Sequence, residues 1–237
     1  MIKAVFFDLY NTLMRFWPPL EQIQRTACRQ TGLEVTPEEI TRGYALADDY
    51  FSRENARYPL FKRSDAQRDE FFSEYERLIL EGAGIGASRD LALQVWRRAY
   101  SIPKELVLFD DVPPGLKALR ERGLVLGALS NLRPEMRGQM DKAGLLALLD
   151  FVITSQEAGA QKPFAPIFQV ALKRANAEPH EAVHVGDQYH ADVLGARGVG
   201  IRPVLMDRRG SYESVEECPR VRDMLELVKL FDDGVLD

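Results

Sequence analysis

Polar side chains that could attack or hold an electrophilic centre occur where apolar runs of the sequence end. Asp8 follows the mainly apolar run 2–7, and Asp187 follows the run 182–186. A carboxylate can serve as a nucleophile, as a proton carrier or as a metal ligand. Asp8 alone is weak support for catalysis, because an aspartate at a strand end is commonly a turn former or a helix N-cap.

Four further polar residues lie at or near the ends of predicted strands or in the loops that follow. Ser130 and Asn131 end another apolar run, Lys162 precedes a helical pattern, and Asp192 lies five residues after Asp187. Taken singly, serine and asparagine are ordinary loop and capping residues, and a lysine before a helix is usually a solvated charge. Because open α/β sheets bind ligands at the carboxyl ends of their strands, we expect these side chains to converge on one pocket.

The elements that must position these residues can be predicted from the hydrophobic pattern. Short apolar runs at 2–7 and after residue 111 predict buried parallel strands, and their alternation with helical segments predicts a doubly wound, Rossmann-like α/β sheet. Between them lies a helical stretch with capping boxes at Thr36 and Ser64. The predicted domains are a discontinuous α/β core, residues 1–14 and 111–237, and an inserted all-helical domain, residues 15–110.

Composition narrows the class of protein. The 237 residues are 46% hydrophobic and 28% charged, with a net charge of -5, which argues against generic binding to nucleic acid or to an anionic membrane. No apolar stretch of the sequence approaches the length of ~20 residues that is needed to span a bilayer, so we expect a cytoplasmic protein. Cys28 and Cys218 are expected to be reduced, and His180, His184 and His190 lack the spacing of a zinc site.

Several of these segments resemble the motifs of the haloacid dehalogenase-like (HAD) hydrolases. Residues 8–12 resemble the first motif, Asp-x-Asp-x-Thr, except that Tyr10 replaces the second acid. Residues 162–168 resemble the third motif, and residues 186–192 match the fourth, Gly-Asp-x-x-x-x-Asp. With Ser130 at the second motif, all four occur in order. The resemblance implies a hydrolase whose inserted helical domain is a cap.

The resemblance also implies a mechanism. Asp8 is expected to be the nucleophile that forms a covalent aspartyl intermediate, and Mg²⁺ to be held by Asp8, the backbone carbonyl of Tyr10 and Asp187. Asp8, Asp187 and Asp192 place three negative charges against one positive charge from Lys162. That imbalance is costly in a partly desolvated pocket, so the charge count itself favours a divalent cation.

The other matched residues are implied to bind the group being transferred. Ser130 and Asn131 are expected to hydrogen-bond this group, and Lys162 to hold both the group and the nucleophile by its charge. Asp192 is expected to orient Lys162 or a metal-bound water.

Tyr10 leaves alternatives open. In HAD phosphatases the second Asp protonates the leaving group, whereas a phenol with an ordinary pKa near ~10 is a poor donor at neutral pH. Haloacid dehalogenases carry Tyr in the first motif, but their fourth motif typically has Ser-Ser-Asn. We favour a Mg²⁺-dependent phosphatase acting on a small, anionic metabolite, as a monomer or homodimer. The alternatives are an L-2-haloacid dehalogenase and a catalytically weak ligand-binding protein.

Overall fold

The computed structural model describes residues 1–131 and 137–236, with the backbone alone at Phe61. Across these residues the chain divides into two compact units, one formed by Met1–Arg15 with Leu106–Asp237 and the other by Phe16–Glu105. The strands are β1 (Ala4–Phe7), β2 (Met14–Trp17), β3 (Glu105–Leu108), β4 (Val125–Ser130), β5 (Phe151–Thr154), β6 (Ala182–Gly186), β7 (Arg202–Met206) and β8 (Arg220–Val221). The α-helices are α1 (Leu20–Gln30), α2 (Pro37–Arg57), α3 (Asp65–Gly82), α4 (Arg89–Ser101), α5 (Val112–Glu121), α6 (Arg137–Lys142), α7 (Ser155–Ala158), α8 (Ala165–Ala175), α9 (Leu194–Gly198) and α10 (Met224–Asp232).

The first unit is built on a parallel sheet. Among the described residues its strands lie in the order β5-β4-β1-β6-β7-β8, and every pairing between them is parallel. β1 and β6 are buried at every position, as expected for central strands covered on both faces. Phe6 and Phe168 belong to one buried cluster between the sheet and α8. The sheet confirms the predicted Rossmann-like α/β fold.

The second unit is helical and consists largely of α1 to α4. Thr36 and Ser64 form the predicted capping boxes at the starts of α2 and α3, and Ser88 caps α4. These side chains satisfy amide groups that the first turn of a helix leaves without a partner. The helices pack around a buried cluster that includes Ile40 and Ile79. None of the described helices combines the length and the apolar character needed to cross a membrane.

The strands β2 and β3 differ from the sequence expectation, which placed only helix between Leu13 and Asp111. They pair with each other in a separate two-stranded sheet. Each strand is only four residues long, and the sequence of β2, Met-Arg-Phe-Trp, contains a charged residue, Arg15. Segments this short do not display a convincing alternation, and each finds its partner about ninety residues away in the sequence.

Candidate active site

Asp8 lies at the point where the order of the sheet reverses. β1 is flanked by β4 on one side and β6 on the other, so the chain places later strands on both sides of it. Crevices that bind ligands form at such switch points, outside the carboxyl ends of the strands. The Asp8 amide donates to the carbonyl of Val185 at 2.8 Å, which places the first acid beside the Gly186–Asp187 turn.

Lys162 connects the first acid to the last. Its side chain is only 2% exposed, and its ammonium group is paired with Asp8 and with Asp192, the latter at 2.7 Å. Lys162 comes from the loop between α7 and α8, far from both acids in sequence. A buried ammonium group needs such partners because leaving it unpaired is costly. The sequence-predicted residues Asp8, Lys162 and Asp192 are therefore in direct contact.

Asp192 is fixed from three directions. Its Oδ1 accepts from the Lys162 ammonium and lies 2.9 Å from Nε2 of His184, and its Oδ2 accepts from the Gln188 amide at 3.0 Å. A β-carbon added at Gly186 would overlap the Asp192 carboxyl group. Gly186 is thus required for the close approach of Asp192.

The charged states of these residues follow from burial and pairing. Burial raises the pKa of Asp8 from 3.8 to about 6, against the opposing charge of Lys162. Burial alone would lower the pKa of Lys162, but the Asp192 and Asp8 charges outweigh it and raise that pKa. Burial likewise opposes ionisation of Asp192, yet Lys162 and His184 hold its pKa well below the ordinary value. Asp192 and Lys162 therefore form a buried ion pair next to Asp8.

Three carboxylates form an acidic cluster. One ligand oxygen from each of Asp8, Asp187 and Asp192 lies within 4.8 Å of the others. Oxygen donors of this kind are the ligands that Mg²⁺ and Ca²⁺ take in proteins. Both Asp192 oxygens already accept hydrogen bonds, so the neighbours of Asp192 hold it in place within this cluster.

The second predicted motif ends β4. Ser130 is buried at the last position of this strand. The Asn131 side chain accepts from the Lys162 amide at 2.9 Å and donates to the Lys162 carbonyl at 3.2 Å. These two hydrogen bonds fix the loop that carries Lys162. The sequence did not indicate this contact between Asn131 and the Lys162 backbone. The expected contact of Ser130 and Asn131 with a transferring group stays a prediction.

Tyr10 lies in the tight turn that follows Asp8. Its backbone forms a bridge with Met14, and Asn11 adopts a left-handed conformation with φ of 59°. Asparagine tolerates this region better than most residues. The Tyr10 side chain is half-buried. Tyr10 therefore belongs to an ordered turn close to Asp8, and its expected role at the site stays a prediction.

His184 is a site residue that the sequence reasoning missed. It is fully buried within β6, its ring packs edge-on against Phe168, and burial lowers its pKa. Because an ionised carboxylate can only accept, His184 Nε2 carries the hydrogen that Asp192 receives. The available signal was a polar residue inside an otherwise apolar strand, which must find a partner when buried.

Known proteins resemble this chain in sequence. A family model described as haloacid dehalogenase-like hydrolase matches residues 2–200. The chain is 32% identical over 209 residues to haloacid dehalogenase-like hydrolase domain-containing protein 3 of Homo sapiens, covering 86% of this chain and 82% of the relative. It is 31% identical over 246 residues to glyceraldehyde 3-phosphate phosphatase of Methanopyrus kandleri, covering 97% and 98%.

A solved dehalogenase structure with an intermediate complex shares the fold. Its TM-score is 0.62 at 21% identity, over 97% of this chain and 96% of that chain. At this identity the likeness concerns the fold alone. The family match, the human relative and the ordered motifs lead to one conclusion: the chain belongs to the haloacid dehalogenase-like hydrolases.

Proposed function

We propose that this hydrolase is a Mg²⁺-dependent phosphatase that acts on small phosphorylated metabolites through a covalent aspartyl intermediate on Asp8. The observation that carries the proposal is the buried chain from Asp8 through Lys162 to Asp192, with Asp187 in the same acidic cluster. A relative of nearly equal length is named a glyceraldehyde 3-phosphate phosphatase, and this name supports a phosphatase over a dehalogenase.

The residues present fit a Mg²⁺ ion. The acidic cluster offers hard oxygen donors within a small volume. Asp8 and Asp187 are the proposed protein ligands, together with the backbone carbonyl of Tyr10. Mg²⁺, when bound, supplies positive charge that offsets the repulsion between the Asp8 carboxylate and an anionic phosphate.

The proposed reaction has two steps. A carboxylate oxygen of Asp8 bonds to phosphorus as the bond from phosphorus to the ester oxygen breaks, and the leaving group departs with the electron pair. Water then attacks the phosphorus of the aspartyl phosphate, which releases inorganic phosphate and restores the carboxylate. Lys162 holds Asp8 in place and offsets charge on the phosphoryl group, while Asp192 keeps the Lys162 ammonium aimed at that point.

Tyr10 makes departure of the leaving group the difficult step. A phenol donates a proton poorly at neutral pH, so esters with acidic leaving groups should be the best substrates. Tyr10 is also the observation that favours the second candidate, an L-2-haloacid dehalogenase, because halide departs without a proton. The acidic cluster weighs against this second candidate, since the fourth motif carries Asp187 where dehalogenases typically do not.

We also propose that the helical unit Phe16–Glu105 is the cap domain that selects the substrate. It has its own buried cluster, and it is inserted in sequence directly after the first motif. A hydrolase core that is shared among relatives leaves specificity to such an inserted part.

Phosphate release tests the function. Wild-type protein is assayed with 4-nitrophenyl phosphate and a panel of sugar phosphates, with Mg²⁺ or with a chelator. We expect turnover with Mg²⁺ that is lost in the chelator and in the variant D8N. The matched control is D110N, because Asp110 is an exposed aspartate of the same unit, and this variant should keep wild-type turnover.

Chloride release from 2-chloropropionate separates the two candidates. The phosphatase proposal predicts none. Chloride release that persists in chelator, together with no phosphate release from any ester, would replace the phosphatase by the dehalogenase.

A further inference from the structure

The part of the chain beyond the family match contacts the turn that carries the proposed nucleophile. The match ends at residue 200, and Arg208 lies in the loop after β7. Nε and Nη2 of Arg208 donate to the Thr12 carbonyl at 3.2 and 2.9 Å. Thr12 is four residues after Asp8 and two after Tyr10, so Arg208 touches the backbone of the first motif.

The Arg208 guanidinium is itself rigidly held. It donates two hydrogen bonds to the Asp111 carboxylate, at 3.1 and 2.9 Å, and lies 3.9 Å from the centre of the Phe109 ring. Asp111 also accepts from the Met224 amide at 2.8 Å, which links the pair to the start of α10. The two charged side chains are 12% and 18% exposed. The planar guanidinium group donates these hydrogen bonds in a fixed, forked geometry that the single ammonium group of lysine cannot reproduce.

Several backbone groups of the turn that Arg208 contacts bond to one another. The Leu9 carbonyl accepts from the amides of Leu13 and Met14, both at 2.9 Å, and the Asn11 amide donates to the Met14 carbonyl at 2.7 Å. The Thr12 carbonyl instead accepts from Arg208, and the Thr12 side chain is fully buried. The Leu13 carbonyl accepts from the Phe109 amide at 3.2 Å, so the turn is tied both to Phe109 and to Arg208 of the C-terminal segment.

We propose that Arg208 is a positioning residue for the hydrolase reaction. It fixes the turn 9–14 and thereby the placement of the Asp8 carboxylate and of the Tyr10 carbonyl. This inference rests on the proposed function for its kinetic consequences. The bidentate pair with Asp111 and the contact with Phe109 hold the Arg208 side chain in place. Arg208 therefore restrains the turn.

The test compares wild-type protein with R208K, which keeps the positive charge but loses the fork. Because a shift of about 1 Å in reacting geometry costs roughly 100-fold in rate, we expect kcat for 4-nitrophenyl phosphate to fall roughly 10- to 100-fold. KM should stay near the wild-type value, since Arg208 does not touch the proposed pocket residues Asp8, Lys162 or Asp192 in any hydrogen bond of the described residues. Hydrogen–deuterium exchange of amides in residues 9–14 should become faster.

The matched control is R220K. Arg220 belongs to the same C-terminal segment and pairs with the buried Asp207 at 3.1 Å, so it reports general loosening of this segment. We expect R220K to keep wild-type kcat and wild-type exchange in residues 9–14. If R208K does not fold, D111N replaces it, because this variant keeps Arg208 but weakens its anchor.

Two results would overturn the positioning role. One is a folded R208K protein with wild-type kcat and unchanged exchange in residues 9–14. The other is an equal loss of kcat and an equal rise in exchange in R220K. Failure of the proposed function is distinguishable, because wild-type protein then hydrolyses no phosphate ester, and the exchange comparison alone decides the role of Arg208.

Discussion

Glu76 is a buried acid of the helical unit, and its replacement by glutamine gives a quantitative test of the physical reasoning. Glu76 lies in α3, is 1% exposed and accepts a hydrogen bond from Gln24, whose side-chain oxygen accepts from the Tyr44 hydroxyl at 3.4 Å. Burial raises the pKa of Glu76 from 4.5 to about 8. E76Q keeps the shape and the acceptor for Gln24 but removes the charge.

The direction in which the free energy of unfolding changes with pH follows from proton linkage. The folded protein binds the Glu76 proton more tightly than the unfolded chain does, so the contribution of this group is complete below pH ~4.5 and is lost as pH rises towards ~8. Each unit of pKa difference corresponds to about 1.36 kcal/mol. The free energy of unfolding of E76Q should therefore exceed that of wild type by about 1 kcal/mol at pH 5, about 3 at pH 7 and about 5 at pH 9.

Urea unfolding followed by tryptophan fluorescence measures this difference. Both tryptophans, Trp17 and Trp96, belong to the helical unit, so the signal reports on the part of the chain that contains Glu76. The matched control is E81Q, because Glu81 lies on the same helix but is 55% exposed and pairs with Arg77 at the surface. Exposed pairs contribute only about 0–1 kcal/mol, and E81Q should show no comparable dependence on pH.

The decisive quantity is the difference in free energy of unfolding between E76Q and wild type, measured as a function of pH. The other titrating groups contribute equally to both proteins and cancel in this difference. A difference that stays constant from pH 5 to pH 9 would refute the reasoning about Glu76. A difference of the same size in E81Q would show that it does not arise from burial.

Three further variants test the site. G186A should lose roughly 1–3 kcal/mol of stability and most of its kcat, because a β-carbon overlaps the Asp192 carboxyl group; G138A, where a β-carbon meets nothing within 4 Å, is the control in unfolding and activity assays. N131A removes both hydrogen bonds to the Lys162 backbone and should lower kcat even at temperatures at which the variant is fully folded. Equal kcat in wild type and N131A would contradict the positioning of Lys162 by Asn131. Y10D should raise kcat for alkyl phosphates more than for 4-nitrophenyl phosphate, and an equal change for both would mean that proton donation to the leaving group is not limiting.

The sequence was most informative where one local pattern determines both an element and a site residue. The apolar runs before Asp8, Ser130 and Asp187 predicted parallel strands, and parallel strands bring their carboxyl ends to one edge of the sheet. The capping boxes at Thr36 and Ser64 are equally local, because the partners lie three residues apart. These features could be predicted without knowledge of the tertiary structure.

The features that escaped prediction depend on contacts between distant segments. β2 and β3 are too short for a clear periodic pattern, and each is defined by the other. Asn131 bonds the Lys162 backbone, thirty-one residues away, and Arg208 reaches Thr12 across 196 residues. Nothing in the local sequence distinguishes such a residue from a surface arginine or a loop asparagine.

The proposed covalent intermediate on Asp8 is the central element of the mechanism, and an acid-quenched single turnover tests it most directly. Enzyme in excess over ³²P-labelled phosphate ester, with Mg²⁺ present, is quenched in acid and digested. We expect transient label on the peptide that contains Asp8, and this label should be absent in D8N. Hydroxylamine should release the label as inorganic phosphate, because it attacks the acyl carbon of an aspartyl phosphate. Complete phosphate release in the same turnover with no label on protein at any time, or label on a different residue, would contradict the account.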